Sequence, residues 1–357
     1  MPPKILIILK RRHDYNHEKH ININISTGLY NSAYFVNEML NNYGLDSTIV
    51  VVVDNNCIDR EVSKYKPTHV IIEALWVVPS KFHVLQNLHP NVKWIIRLHS
   101  EIPFLANEGM AFDWIGDYMA YDNVVVGANS KRTLKELRTF IKTKYAPYIN
   151  KKTLNEKLVY LPNYYPRDFK YKPFNKDKDY VDVSCFGAIR PLKNHMLQAM
   201  AALKFAEKID KKLHFHINTG RIEQKGDAIL NNLQSFFGHI YNNGHRLINH
   251  GWAPREEFLK ICGNVDIGMQ VSFSETFNIV AADMLSQGVP LIGSNEIPWI
   301  NPLFSSDATD SNKIANKLYW TYQFPKVNFL INKYLLLIYT HFAKKVWLDF
   351  FKYKMYI

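Results

Sequence analysis

Short runs of apolar residues alternate with longer amphipathic stretches along most of the chain. The first run, 5–9, is Ile-Leu-Ile-Ile-Leu. An amphipathic stretch over 31–43 follows and stops at Gly44, a residue suited to the left-handed turn that closes a helix. Further apolar runs lie at 48–53, 69–74, 93–98, 123–128 and 157–161. Asn129 and Ser130 offer a cap for a helix over 131–142. Runs that are apolar at nearly every position predict strands covered on both faces, which means a parallel sheet with helices on either side.

The stretch 162–179 breaks this rhythm. It holds Pro162, Pro166 and Pro173 among many charges, and it reads as a linker. The alternation then resumes, with strands expected at 182–186, 213–218, 247–250, 265–269 and 290–293. Helices are expected at 195–208, 228–241, 255–262, 276–287 and from Asn312 onward. The pattern predicts two successive doubly wound α/β domains: a Rossmann-like domain over 1–165, a linker over 166–180, a second Rossmann-like domain over 181–325, and C-terminal helices over 326–357. Ligands of such sheets collect beyond the carboxyl ends of the strands.

Composition narrows the classes. A chain of 357 residues with 47% hydrophobic and 21% charged residues is globular and long enough for two cores. The net charge of +12 points to an anionic partner, either a nucleotide, a nucleic acid or a membrane surface, with mere solubility as the plainer explanation. Cys57, Cys185 and Cys262 have neither metal nor disulfide spacing, which fits a reducing cytoplasm. The charges follow the first apolar run, the reverse of a signal peptide. The apolar tail over 329–342 is interrupted by Asn332, Lys333 and His341, so no transmembrane segment is expected.

Two segments carry chemistry. In 272–294, Glu275 stands at the start of an expected helix and Asp283 lies eight residues later. At the helical rise the two carboxylates are about 12 Å apart, roughly the length of a sugar, a diphosphate and a ribose. Thr276, Phe277 and Asn278 begin that helix, whose free N–H groups and dipole suit a diphosphate. In 185–195, a strand runs into Gly187, and Arg190, Lys193 and Asn194 follow before the next helix. Cations there stabilise a departing nucleotide diphosphate more in the transition state than in the ground state. The plainer alternatives are an amphipathic helix with an acidic start and a solvated basic loop.

These segments resemble retaining GT-B glycosyltransferases, family 4 in particular. The first is similar to that family's E-x7-E motif, with Asp283 one methylene shorter than the usual second Glu. The second is similar to its Gly–x–x–Arg–x–x–Lys–Gly/Asn segment. Between them, Asn249-His250-Gly251-Trp252 matches a third family segment, in which Trp252 would cover the base. The resemblance implies two Rossmann-like domains facing a central cleft, with the C-terminal helix crossing back to the first domain. The aromatic tail, with Trp347, Phe350 and Phe351, suits that packing role better than that of a membrane anchor. It also implies a nucleotide-sugar co-substrate with no separate cofactor. Glu275 would hold the transferred sugar, Asp283 the ribose, and Gly187, Arg190, Lys193 and Asn194 the diphosphate.

In the first half, Gly28 resembles the glycine at which the family's backbone approaches the donor. His99, with Glu101 behind it, resembles the histidine placed near the transferred sugar, although a structural hydrogen-bonding role is the plainer reading. Lys10, Arg11 and Arg12, with His13 and Asp14 as weaker members, would meet an anionic acceptor. Leu161-Pro162-Asn163 is similar to the segment preceding the family's linker. The wording of 69–118 resembles uncharacterised glycosyltransferase-like proteins of tailed bacteriophages, which points to modified DNA as acceptor, with a glycan as the alternative.

The expected reaction retains configuration and uses no metal. No Asp-x-Asp of the metal-dependent transferase type lies in a suitable loop and no metal-spaced cluster is visible, so Arg190, Lys193 and a helix N-terminus would replace a metal as the positive clamp. Rival readings are a sugar-nucleotide epimerase or phosphorylase on the same fold, a nucleic-acid-binding protein with a decayed transferase site, and a transferase acting at a lipid surface. The basic helix over 131–142 is a candidate for surface contact in the last case.

Overall fold

The computed structural model describes residues 2–10, 28–145, 150–166, 168–173 and 175–353. They form two compact units: the described residues to 166 together with those from 340, and those over 167–339.

The first unit contains β1 (Lys4–Lys10), α1 (Gly28–Asn42), β2 (Asp46–Val52), α2 (Cys57–Tyr65), β3 (His69–Glu73), α3 (Lys81–Leu88), β4 (Lys93–Leu98), α4 (Ile102–Leu105), α5 (Ala111–Asp117), β5 (Val124–Ala128), α6 (Lys131–Tyr145), α7 (Lys151–Lys157) and β6 (Leu158–Tyr160). Its six strands pair in parallel in the order β2-β1-β3-β4-β5-β6. Successive residues of β1 feed opposite faces. Leu6 and Ile8 join Val70, Ile72 and Trp94, while Ile5 and Ile7 join Val36, Leu40 and Trp347. A strand buried on both sides needs apolar residues throughout, which is why β1 reads as a continuous run.

The second unit contains β7 (Tyr180–Cys185), α8 (His195–Lys208), β8 (Lys212–Asn218), α9 (Gly226–His239), β9 (Arg246–His250), α10 (Arg255–Gly263), β10 (Ile267–Gln270), α11 (Ile279–Ser286), β11 (Leu291–Ser294), β12 (Ser305–Ser306) and α12 (Ser311–Gln323). The parallel order is β12-β11-β10-β7-β8-β9. The order reverses between β7 and β10, the position at which doubly wound sheets open a crevice for ligands.

The last helix, α13 (Pro325–Tyr353), starts in the second unit and belongs to the first from Thr340 onward. There Trp347 and Phe351 are fully buried, and the Trp347 indole N–H donates to the Pro162 carbonyl at 2.8 Å. Over 327–338, by contrast, several apolar side chains of α13 are exposed. The helices α2, α3, α4, α5 and α7 are additions to the expected elements; α4, α5 and α7, with four to seven residues each, carry too few turns to show a helical period in the sequence. The helix expected over 276–287 begins only at Ile279. Asn278 adopts φ +60° and its side chain accepts from the Ala281 N–H, so it ends the irregular segment instead of extending the helix.

Candidate active site

The loop with the expected cations leaves the carboxyl end of β7. Gly187 has φ +118°, a left-handed backbone that disfavours any side chain, and its N–H donates to Asn218 Oδ1 at 3.0 Å. The chain then makes one tight turn over Pro191–Lys193. Asn194, also left-handed at φ +58°, donates through Nδ2 to the carbonyls of Val271 at 3.1 Å and Ala308 at 2.7 Å. Gln198 stitches the same two segments together: its amide donates to the Lys193 carbonyl at 2.7 Å and accepts from the Val271 N–H at 2.8 Å. The Phe273 N–H adds a bond to the Leu192 carbonyl at 2.9 Å. These bonds hold the loop after β7 against the segment after β10, at the reversal point of the sheet.

The result is a buried ion pair. Lys193 Nζ lies 2.5 Å from Glu275 Oε1 and 3.5 Å from Gln270 Oε1. Gln270 in turn donates to the Phe186 carbonyl and accepts from Asn278 Nδ2, both at 2.8 Å. Thus an ammonium, a carboxylate and the N-terminus of α11 share one location, an arrangement that suits an anion and a polyhydroxylated group side by side. Arg190, the second expected cation, faces Glu223, with Nη1 3.4 Å from Oε2. Glu223 also accepts from Arg221 Nε at 2.7 Å. His195 begins α8 and is fully buried, and neither ring nitrogen has a hydrogen-bond partner among the described residues. Burial first, then the Lys193 and Arg190 charges, bring its pKa down to about 3, so it adds no positive charge.

Other expected donor residues sit differently. Asp283 is 1% exposed, and both its oxygens accept from Arg255, at 2.8 and 3.1 Å. To accept from a ribose it would have to leave Arg255. Arg255, from the start of α10, is its bidentate partner. Phe277 points into the core, where its ring packs on Trp299 and Tyr339, and its carbonyl accepts the Trp299 indole N–H at 2.8 Å. Thr276 is half-buried. Trp252 follows β9 with the Arg221 guanidinium 5.5 Å from its ring, and a Cβ on Gly220 would lie 2.5 Å from the Trp252 nitrogen. That close approach requires glycine at 220.

In the first unit, Glu73 and Arg97 are register partners at the carboxyl ends of β3 and β4, both fully buried. Arg97 Nη1 donates to the two Glu73 oxygens at 3.0 and 3.3 Å. Its remaining nitrogens reach the carbonyls of Leu161 at 3.3 Å and Pro162 at 3.1 Å, and Asn163 Oδ1 at 3.1 Å. His99 Nε2 bonds to Glu73 Oε2. Burial and then the Arg97 charge push the His99 imidazole below its ordinary value, against the pull of Glu73. Burial pushes the Glu73 carboxyl up, but Arg97 and then His99 outweigh it, leaving the group below the usual carboxylate value. Glu101 is engaged within its own unit, accepting from Ser130 at 2.5 Å, Thr133 at 2.6 Å and Arg132 at 3.0 Å. It anchors the start of α6, which leaves it poorly disposed toward an acceptor. Gly28 is the exposed first residue of α1, and Lys10 is the exposed end of β1. Arg11, Arg12, His13 and Asp14 lie outside the described residues.

Sequence reading passed over Glu73, Asn218, Glu223, Arg255 and Gln270. Glu73 and Arg97 did leave a signal: single charges at the ends of otherwise apolar strands, which burial allows only when they are paired. The others became visible only as partners across separate segments.

No protein-family model matches the chain, and no curated protein matches it by sequence. Solved structures do. A UDP-forming α,α-trehalose-phosphate synthase from Burkholderia vietnamiensis superimposes with TM-score 0.68 at 10% identity, over 98% of this chain and 96% of that one. The E. coli trehalose-6-phosphate protein bound with UDP-2-fluoro glucose gives 0.67 at 11%, over 98% and 99%. Sucrose-phosphate synthase from Thermosynechococcus elongatus gives 0.67 at 12%, over 99% of both chains. The chain has the GT-B fold. At these identities the likeness establishes architecture, and chemistry has to be argued from the side chains.

Proposed function

We propose that the protein is a glycosyltransferase that moves a sugar from a nucleotide-sugar donor to an acceptor hydroxyl with retention of configuration. The observation that carries this reading is the buried Lys193–Glu275 pair at the N-terminus of α11, beside the left-handed Gly187. A diphosphate entering there competes with Glu275 for the Lys193 ammonium and meets the positive end of the α11 dipole. Glu275, once released, is placed to accept hydroxyls of the sugar. Arg190 supplies the second cation when it leaves Glu223. The acceptor oxygen bonds to the anomeric carbon while the bond to the leaving phosphate oxygen breaks, and that oxygen takes the acceptor proton. Charge growing on the diphosphate is met by Lys193, Arg190 and the helix dipole. His99, whose imidazole burial and the Arg97 charge push below its ordinary value, offers a hydrogen bond at the carboxyl edge of the first sheet. The fold neighbours support the donor class, since one is UDP-forming and another is bound with UDP-2-fluoro glucose.

The test is a thermal-shift and calorimetric panel of nucleotide sugars, each with and without DNA, followed by product analysis. One donor should stabilise the protein, and a dependence on DNA would assign the acceptor. Arg190→Ala, Lys193→Ala and Glu275→Ala should each lower transfer by about 10²–10³-fold with the fold intact. Full transfer activity in these variants refutes the proposal.

A further inference from the structure

The exposed row on α12 and α13 has no place in the donor chemistry. Trp320 (54% exposed) stacks on Phe324 (51%) with ring centroids 5.9 Å apart. Beyond them Val327, Leu330, Tyr334 and Ile338 stand out from α13, each 48–66% exposed. Spacings of three and four residues put these four on one side of the helix. From Phe324 to Ile338 the row extends about 21 Å. Natural surfaces carry scattered apolar residues, but a continuous aromatic and aliphatic row marks an interaction site.

Charge selects the partner. Residues 311–348 contain Lys313, Lys317, Lys326, Lys333, Lys344 and Lys345 and not one Asp or Glu. Lys313 is held by Asp307 and Asp310, but Lys326 and Lys333 of α13 lie within one helical turn of the row, and an apolar row with Trp, Tyr and flanking lysines matches a bilayer interface with anionic headgroups. A second copy of the chain fits poorly, because a twofold contact through this row would set lysines against lysines. Among the described residues no helix is long and apolar enough to cross a membrane, so contact would be in the plane of the surface. We propose that the α12–α13 row seats the second unit on an anionic lipid surface. This goes beyond the transferase reading and is tested without any sugar donor.

The experiment is co-sedimentation of the full chain with sucrose-loaded vesicles of phosphatidylcholine alone, or of phosphatidylcholine with phosphatidylglycerol. Binding is expected only to the anionic vesicles and should weaken with added salt. Leu330→Gln/Ile338→Gln should reduce partitioning about tenfold or more. Lys326→Gln/Lys333→Gln should reduce it about fivefold per lysine. All four positions are at least partly exposed, so unchanged melting curves will confirm intact folding. Absence of binding to anionic vesicles overturns the proposal. So does equal binding by the apolar double variant, or a lipid-free dimer that this variant disperses.

Discussion

Replacing Glu73 by Gln tests whether the ionic network at the carboxyl edge of the first sheet is built as described. The substitution keeps the shape and removes the charge. Arg97 is fully buried, so its guanidinium would lose its opposing carboxylate and have no water to turn to. It would keep the carbonyls of Leu161 and Pro162 and the Asn163 side chain, which satisfy hydrogen bonds but not the charge. Breaking a buried pair from one side costs about 3–5 kcal/mol, and the retained hydrogen bonds favour the lower end. For a domain of this size about 3 kcal/mol corresponds to a fall of about 6–12 °C in melting temperature. Differential scanning calorimetry on parent and variant measures this directly. A double variant, Glu73→Met with Arg97→Met, should recover at least half of the loss, because it removes both buried charges together. A Glu73→Gln protein melting within about 1 °C of the parent would mean that the pair is not buried in solution, and the reasoning fails.

Three further outcomes are expected. The first unit should lose stability on acidification in two stages: His99 lies below its ordinary 6.5 and Glu73 below 4.5 in the folded state, so the unfolded chain takes up protons first as pH falls through each value. Melting temperature measured from pH 8 to 3 should decline accordingly, with His99→Asn removing the upper stage, and a flat profile contradicts this. Arg255→Ala should cost about 1–3 kcal/mol in urea unfolding, since Asp283 is left buried while its partner was itself partly exposed; no change would show that Asp283 reaches water. Gly220→Ala should displace Trp252, whose nitrogen lies 2.5 Å from the new Cβ, at a cost of about 1–3 kcal/mol and with a shifted tryptophan emission. An unshifted spectrum with parent stability speaks against that close packing.

Local pattern was sufficient to mark the doubly wound architecture. Strands such as β1, with four consecutive fully buried residues, can exist only between two helical layers, and that constraint is written into the residues themselves. Gly187, Arg190 and Lys193 were legible for the same reason, because the turn, the cations and the next helix lie within nine residues of one another. Partnerships were not. Lys193 and Glu275 are 82 residues apart, and only the parallel pairing of β7 with β10 brings their loops together. The pairing of Asp283 was not legible either, because nothing nearby in sequence announces Arg255, which arrives from another helix. Likewise the apolar tail reads as one packing surface, yet burial divides it: Trp347 and Phe351 are enclosed in the first unit, while Val327, Leu330, Tyr334 and Ile338 are left exposed on the second. Periodicity reports which residues share a face, and only the tertiary structure decides whether anything covers that face.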